Sequence, residues 1–227
     1  MKTVGIVPNH DKEAAMNFVG ELVSFLKEKD CNVALTYKIA EITGFEELGV
    51  TKYELYSKSD FIIVLGGDGT LLDTGRKAAK YGTPLLGINM GTLGFLASAD
   101  VSEVRETIER VLDGDYKLEK RLMLEAEIVS ETDSPKKYNA VNDVCITRGV
   151  FTKITGYSIY VNDEYLATFR ADGVIISTPT GSFSGRTCSK TGYRLYGDNA
   201  YMRPLSSFKK YCHIGRRYSQ DRSGFRF

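Results

Sequence analysis

An aspartate set among glycines is the residue of this chain best suited to chemistry. Asp68 stands in Gly66-Gly67-Asp68-Gly69-Thr70, directly after the apolar run Phe61-Ile62-Ile63-Val64-Leu65. Glycines let the backbone approach a ligand closely, and the amides that open the following helix favour phosphate oxygens. The Gly-Lys-Ser/Thr ending of a P-loop is missing. An acid holds the apex instead, at the carboxyl end of a strand, where open α/β sheets bind their ligands. A carboxylate there can take the proton from a hydroxyl that attacks a phosphate. The plainer alternative is a tight turn in which Asp68 caps the helix.

Three further motifs carry polar groups. Gly87-Ile88-Asn89-Met90-Gly91-Thr92-Leu93-Gly94-Phe95-Leu96 follows the next apolar run and would line the same crevice, though by itself it reads as loop chemistry rather than a site. Asn142-Asp143 interrupts a strand-like run, which puts one side chain inward and one outward. A buried Asn or Asp needs partners, and a ribose or an amide edge would supply them. A polar edge strand or a bulge would explain the pair equally well. Last, Arg170-Ala171-Asp172-Gly173 and Ser177-Thr178-Pro179-Thr180-Gly181-Ser182 flank the apolar Val174-Ile175-Ile176, as when a strand delivers polar loops to a ligand at both ends. A hairpin strand with ordinary turns is the alternative.

The elements that must position these residues change character along the chain. Residues 2–7 read as a buried strand. Ala15, Phe18, Val19, Leu22, Val23 and Leu26 then repeat at helical spacing. Strands are predicted at Val33–Tyr37, Phe61–Leu65 and Pro84–Ile88, and helices at Thr70–Lys80 and Val101–Leu112, the last stopped by Gly114. Alternating strands and helices predict an α/β domain over 1–114, a Rossmann-like parallel sheet with helices on both faces. Beyond it, Leu122–Val129, Tyr138–Thr147, Ile154–Val161, Tyr165–Phe169 and Val174–Ser177 are short strand-like runs, with Asn162-Asp163 as a hairpin turn. They predict an all-β, sandwich-like second domain over 115–182.

Composition bounds the partners. Thirty Lys+Arg against 29 Asp+Glu give a net charge of +1, so no global field points to nucleic acid or a membrane surface. No apolar run approaches the roughly 20 residues of a membrane span, and the first residues turn polar too soon for a signal peptide. Cys31, Cys145, Cys188 and Cys212 show no CxxC pairing and no histidines at metal spacing. They read as reduced thiols of a cytoplasmic protein.

Together and in this order, the four motifs resemble the bacterial NAD kinase family over about residues 1–182. Gly-Gly-Asp-Gly-Thr by itself is shared with lipid kinases and phosphofructokinase-like enzymes, so a lipid or sugar kinase is the rival class. The combination with Gly-x-Leu-Gly-Phe-Leu, Asn-Asp and Asp-Gly-x-x-x-Ser-Thr-Pro-Thr-Gly-Ser is far more specific. The resemblance implies an α/β domain followed by a β-sandwich-like domain, NAD bound in the crevice between them, and homo-oligomers. It implies ATP and NAD as substrates, and a divalent cation, Mg²⁺, to neutralise the transferring phosphoryl group. Asp68 would be the general base on the adenosine 2′-hydroxyl, and Asp68 and Gly69 would also contact NAD. Asn142, Asp143, Arg170 and Asp172 would bind the dinucleotide, with Lys153 a further contact.

After Ser182 the resemblance stops. Where the family continues with Thr-Ala-Tyr-Ser, this chain has Phe183-Ser184-Gly185-Arg186. Residues 183–227 carry ten Lys+Arg against Asp198 and Asp221, contain no valine, and read as an aberrant basic tail. Ser184 to Lys190 can be written AGC GGG AGG ACA TGT TCT AAA, which read one base later contains Gly-Gly-His-Val-Leu. In that same frame Asp198 to Leu205 can encode Ile-Thr-Pro-Ile-Cys-Ala-His-Ser. Lys210 to Arg222 can encode the apolar Ser-Ile-Val-Ile-Leu-Val-Gly-Asp-Thr-Val-Arg-Ile. Three windows opening in one frame point to a frame disruption near Gly181–Ser182. The β domain is then incomplete, and the chain is expected to fold poorly or to bind nucleotide as an inactive remnant. A genuine basic tail is the competing reading. Sequencing the gene across codons 178–190 decides between them: the expected result is a base count out of register, and an unshifted frame would end the idea.

Overall fold

The computed structural model describes residues 1–91, 96, 99–129, 134–147, 156–161, 163–178 and 180–181, with the backbone of 155, 201–204 and 212–217. Met1–Glu119 and Lys120–Phe227 form two compact units.

The first unit is a parallel sheet. Its strands are β1 (Thr3–Pro8), β2 (Asn32–Thr36), β3 (Gly49–Val50), β4 (Phe61–Gly66), β5 (Leu85–Asn89) and β6 (Ala99–Asp100), in the order β3-β2-β1-β4-β5-β6. β1 lies parallel to β4 with Ile6 opposite Ile63, and β4 lies parallel to β5 with Leu65 opposite Ile88. The helices are α1 (Glu13–Glu28), α2 (Tyr37–Thr43), α3 (Lys52–Lys58), α4 (Asp68–Ala78) and α5 (Val104–Asp113).

The pleat of β4 explains why both faces are covered. Alternate side chains point to opposite faces. Phe61, Ile63 and Leu65 accordingly enter one apolar cluster with Val19, Leu22 and Leu26 of α1, Ile39 of α2 and Ile108 of α5. Ile62 and Val64 enter another with Leu55 of α3 and Ala78 of α4. Every residue of β4 is buried, so the strand can only be central. Full burial of a Leu or Ile stabilises by about 1.5–3 kcal/mol apiece, which anchors the strand that ends in Gly66.

Several boundaries differ from the sequence reading by a residue or two, and three of the shifts have a structural meaning. The strand expected at Val33–Tyr37 ends at Thr36, because Tyr37 opens α2. The helix expected from Thr70 begins at Asp68, which places the acid inside the first turn. The helix expected over Val101–Leu112 divides into a 3-10 turn, Val101–Glu103, and α5, stopped as expected at Gly114 in the left-handed conformation (φ 84°). Helix α3, which apolar spacing did not reveal, starts on a reciprocal cap: Thr51 Oγ1 accepts from the Glu54 N–H, and Glu54 accepts from the Thr51 N–H. The bonds from Lys58 and Thr51 hold the Glu54 carboxyl down at about 2.

The second unit is β-rich. Its strands are β7 (Leu124–Ile128), β8 (Lys136–Ala140), β9 (Asp143–Thr147), β10 (Thr155–Val161), β11 (Glu164–Ala171), β12 (Gly173–Ser177), β13 (Tyr201–Pro204) and β14 (Cys212–Arg217). Six form a sheet in the order β11-β10-β14-β13-β7-β8, and β12 pairs with β9 in a second. Leu124 and Ala126 of β7, Tyr157 and Ile159 of β10, and Val174 and Ile176 of β12 share one core, with Val144 and Ile146 of β9 against it, so the two sheets meet through their apolar faces. The basic segment contributes backbone to this unit, since β13 pairs antiparallel with β7 and β14 with β10. Among the described residues no helix is long and apolar enough to cross a membrane.

Candidate active site

The carboxyl ends of β1, β4 and β5 bring three loops together. The Asn9 N–H, just after β1, donates to Leu65 O at 2.7 Å, and the Met90 N–H, just after β5, donates to Gly66 O at 3.0 Å. Gly66 must be glycine for lack of room: a Cβ there would lie 2.6 Å from Thr70 Oγ1 and 3.3 Å from Asn9 Cβ. Gly67 and Gly69 are the opposite case. Among the described residues a Cβ on either would meet nothing within 4 Å, so those residues leave room over the turn that carries Asp68.

Asp68 does not cap the helix. Gly67 occupies the cap position, and its carbonyl accepts from the Thr70 N–H at 3.0 Å and the Leu71 N–H at 3.2 Å. Asp68 is the first helical residue, where a negative charge is favoured by the aligned peptide dipoles. Its Oδ1 accepts from the backbone N–H of Leu96 at 3.1 Å. The second glycine motif therefore takes part in the site, beyond the loop role expected of it. Asn89 braces the start of that loop. It is 2% exposed, and its Nδ2 donates to Gly91 O at 2.8 Å and to Asp100 Oδ1 at 3.2 Å. Gly91 has φ +156°, and a Cβ there would come 3.5 Å from Lys12 Nζ.

In the second unit, Asn142 and Asp143 sit at a break in the chain. The single strand expected at Tyr138–Thr147 is two: β8 ends at Ala140, and β9 begins at Asp143. Neither residue is simply one of an alternating pair. Asn142 lies in the gap, with its Oδ1 buried and without a hydrogen-bond partner among the described residues. Asp143 starts β9 opposite Ser177 of β12. The Cys145 thiol lies 3.6 Å from Asp143 Oδ1, and burial first, then the Asp143 carboxylate, pushes that thiol up. It stays protonated and donates. The turn after β12 closes onto the gap, because the Thr178 N–H donates to Asn142 O at 2.7 Å and Thr178 Oγ1 donates to Val141 O at 2.6 Å. Arg121 Nη1 reaches Thr180 Oγ1 at 3.4 Å.

Arg170 and Asp172 flank Ala171 at the turn from β11 to β12, and both are exposed. Asn142 and Asp143 are thus adjacent, Arg170 and Asp172 adjoin the far end of β12, and Asp68 and Gly69 belong to the first unit. Lys153, Asn162 and Ser182 lie outside the described residues. Leu96, Asn89 and Thr178 were not singled out by sequence. Leu96 acts through a backbone amide, which any residue type supplies. For the other two, the glycine and Thr-Pro-Thr-Gly contexts were the available signal.

Comparison with known proteins follows these landmarks. A family described as the ATP-NAD kinase N-terminal domain matches residues 4–116, and the ATP-NAD kinase C-terminal domain matches residues 141–189. The NAD kinase of Thermoanaerobacter sp. (strain X514) is 43% identical over 182 residues, covering 80% of this chain and 64% of the relative. The NAD kinase of Clostridium botulinum (strain Kyoto / Type A2) is 39% identical over 198 residues, covering 87% of this chain and 67% of the relative. Against the Thermoanaerobacter relative, the chain thus spans about 64% of the full length. Among solved structures, yeast NADH kinase complexed with NADH superposes with a TM-score of 0.76 at 20% identity, over 96% of this chain and 81% of that one. An Archaeoglobus fulgidus NAD kinase in complex with ATP gives 0.63 at 18% identity, over 95% and 90%. At those identities the structural likeness speaks for the fold.

Proposed function

This chain belongs to the ATP-NAD kinase family, and from that premise we propose that its residues serve the ATP-dependent phosphorylation of the adenosine 2′-hydroxyl of NAD, giving NADP. The observation that carries the reading is Asp68. One of its oxygens is fixed by the Leu96 N–H, and among the described residues nothing crowds Gly67 and Gly69 beside it. A carboxylate so oriented takes the hydroxyl proton as the oxygen attacks the γ-phosphorus, and the bond from that phosphorus to the ADP oxygen breaks. The amides at the start of α4 offer donors to phosphate oxygens.

Asn142 and Asp143 hold the dinucleotide in this reading. The buried Asn142 Oδ1 needs a donor, and a ribose hydroxyl or a carboxamide N–H provides one. Arg170, Asp172 and Lys153 are the further contacts. Among the described residues no three His, Cys, Asp or Glu side chains gather as a metal cage. Mg²⁺ is commonly held by one or two carboxylates together with substrate phosphates. A single carboxylate among glycines would suit a cation that arrives on ATP, held chiefly by the phosphates, and that cation would supply charge neutralisation at the transferring group.

The test compares acceptors. The full chain, and a counterpart with the reading frame restored after Ser182, are each supplied with ATP and either NAD or diacylglycerol. The frame-restored protein is expected to form NADP from NAD and nothing from diacylglycerol, while the chain as it stands binds NAD without measurable turnover. Phosphorylation of diacylglycerol instead would replace this reading with a lipid kinase.

A further inference from the structure

We propose that Thr178 is a positioning residue that sets the Asn142–Asp143 pair for its ligand; the inference rests on the reading that this pair holds the dinucleotide. Thr178 is 1% exposed, and its hydroxyl has every bond a hydroxyl can make. Oγ1 donates to Val141 O at 2.6 Å and accepts from the Thr180 N–H at 3.2 Å and the Gly181 N–H at 3.1 Å. Its own N–H donates to Asn142 O at 2.7 Å. One residue therefore grips two consecutive carbonyls, at the gap where β8 has ended and β9 has not begun. Those peptides lack the ladder bonds that fix a strand, so Thr178 supplies what the sheet does not.

The consequence falls on Asn142. With both carbonyls pinned, the Asn142 backbone is held at the gap, and its buried Oδ1 has no hydrogen-bond partner among the described residues. The oxygen is kept unsatisfied until a ligand N–H or O–H arrives, and the desolvation already incurred is recovered on binding. Ser177 reinforces the arrangement without touching the pair's side chains, since its Oγ donates to the Gly181 carbonyl at 3.0 Å. None of these contacts involves the glycine turn of the first unit, so the device should act on the dinucleotide and not on ATP.

The experiment measures NAD and ATP affinity of the full chain by titration calorimetry, with amide hydrogen exchange at Gly181 read in the absence of ligand. Thr178→Val keeps the volume and removes Oγ1, whereas Thr178→Ser keeps Oγ1. Thr178→Val is expected to weaken NAD about tenfold, the scale of one or two lost hydrogen bonds, to speed Gly181 exchange, and to leave ATP within about twofold. Thr178→Ser should restore NAD affinity. Unchanged NAD affinity in Thr178→Val, or NAD and ATP affinities that fall together, overturns the inference. Asn142→Ala separates the two levels. If it weakens NAD while Thr178→Val does not, only the positioning role has failed. If Asn142→Ala binds NAD as tightly as the parent, or the parent does not bind it, the dinucleotide reading has failed and the inference with it.

Discussion

Asp68→Asn, introduced into the frame-restored protein, is expected to lower kcat for NAD phosphorylation by about a hundred- to ten-thousandfold, the range general base catalysis supplies. The substitution is close to isosteric. An asparagine oxygen can still accept from the Leu96 N–H that Asp68 Oδ1 engages at 3.1 Å, so the turn between β4 and α4 should keep its shape. What disappears is the charge and the ability to take the hydroxyl proton as the oxygen attacks. ATP and NAD affinities are therefore expected to stay within a few-fold, and the loss should sit in kcat. Steady-state kinetics with both substrates checks this. A fall in affinity with kcat intact would make Asp68 a binding residue and leave the proton without an acceptor.

The second large effect is expected at Gly181. A Cβ there would lie 2.2 Å from Ser177 Oγ, 2.5 Å from Asn142 O and 2.8 Å from the Asn142 carbonyl carbon. The serine hydroxyl can rotate away, but the Asn142 peptide is held by Thr178 and cannot. Gly181→Ala must push the turn off the gap between β8 and β9, and overpacking of this kind costs about 1–3 kcal/mol. NAD affinity should fall with stability, since the displaced turn releases Asn142. Gly69→Ala is the contrast: among the described residues a methyl there meets nothing within 4 Å, and Ala in place of Gly inside a helix is favoured by up to about 1 kcal/mol. Denaturant unfolding of the two variants, alongside NAD titration, should place them on opposite sides of the parent in stability.

The sequence carried the first domain well because its signals are local and redundant. Phe61–Leu65 followed by glycines can hardly be anything but a central strand entering a ligand turn, and α1 announces itself by six apolar residues at helical spacing. It carried α3 badly. Thr51 and Glu54 form a legible capping pair, but a helix of one buried face, Leu55 and Tyr56, shows too few turns for periodicity to emerge. Tyr37 was drawn into a strand by its aromatic preference, which the start of α2 overrides.

The site was legible as side chains and illegible as geometry. Asp68 could be singled out by its glycine setting at the end of an apolar strand, and Asn142 and Asp143 because their types are costly to bury without partners. The bond from the Leu96 N–H to Asp68 could not, since a backbone donor leaves no mark on residue identity. The break at Val141–Asn142 was hidden too. A strand that stops for two residues and resumes keeps its alternating pattern, and what shows the break is the change of partner, from β7 beside β8 to β12 beside β9.

The proposed activity puts a phosphoryl group on one hydroxyl of NAD. It is tested most directly by phosphorus NMR of the product formed by the frame-restored protein from ATP and NAD. The expected product is a single new phosphomonoester on the 2′ carbon of the adenosine ribose, absent with Asp68→Asn. A phosphate on the nicotinamide ribose or at the 3′ position, or the same product at undiminished rate from Asp68→Asn, would contradict it.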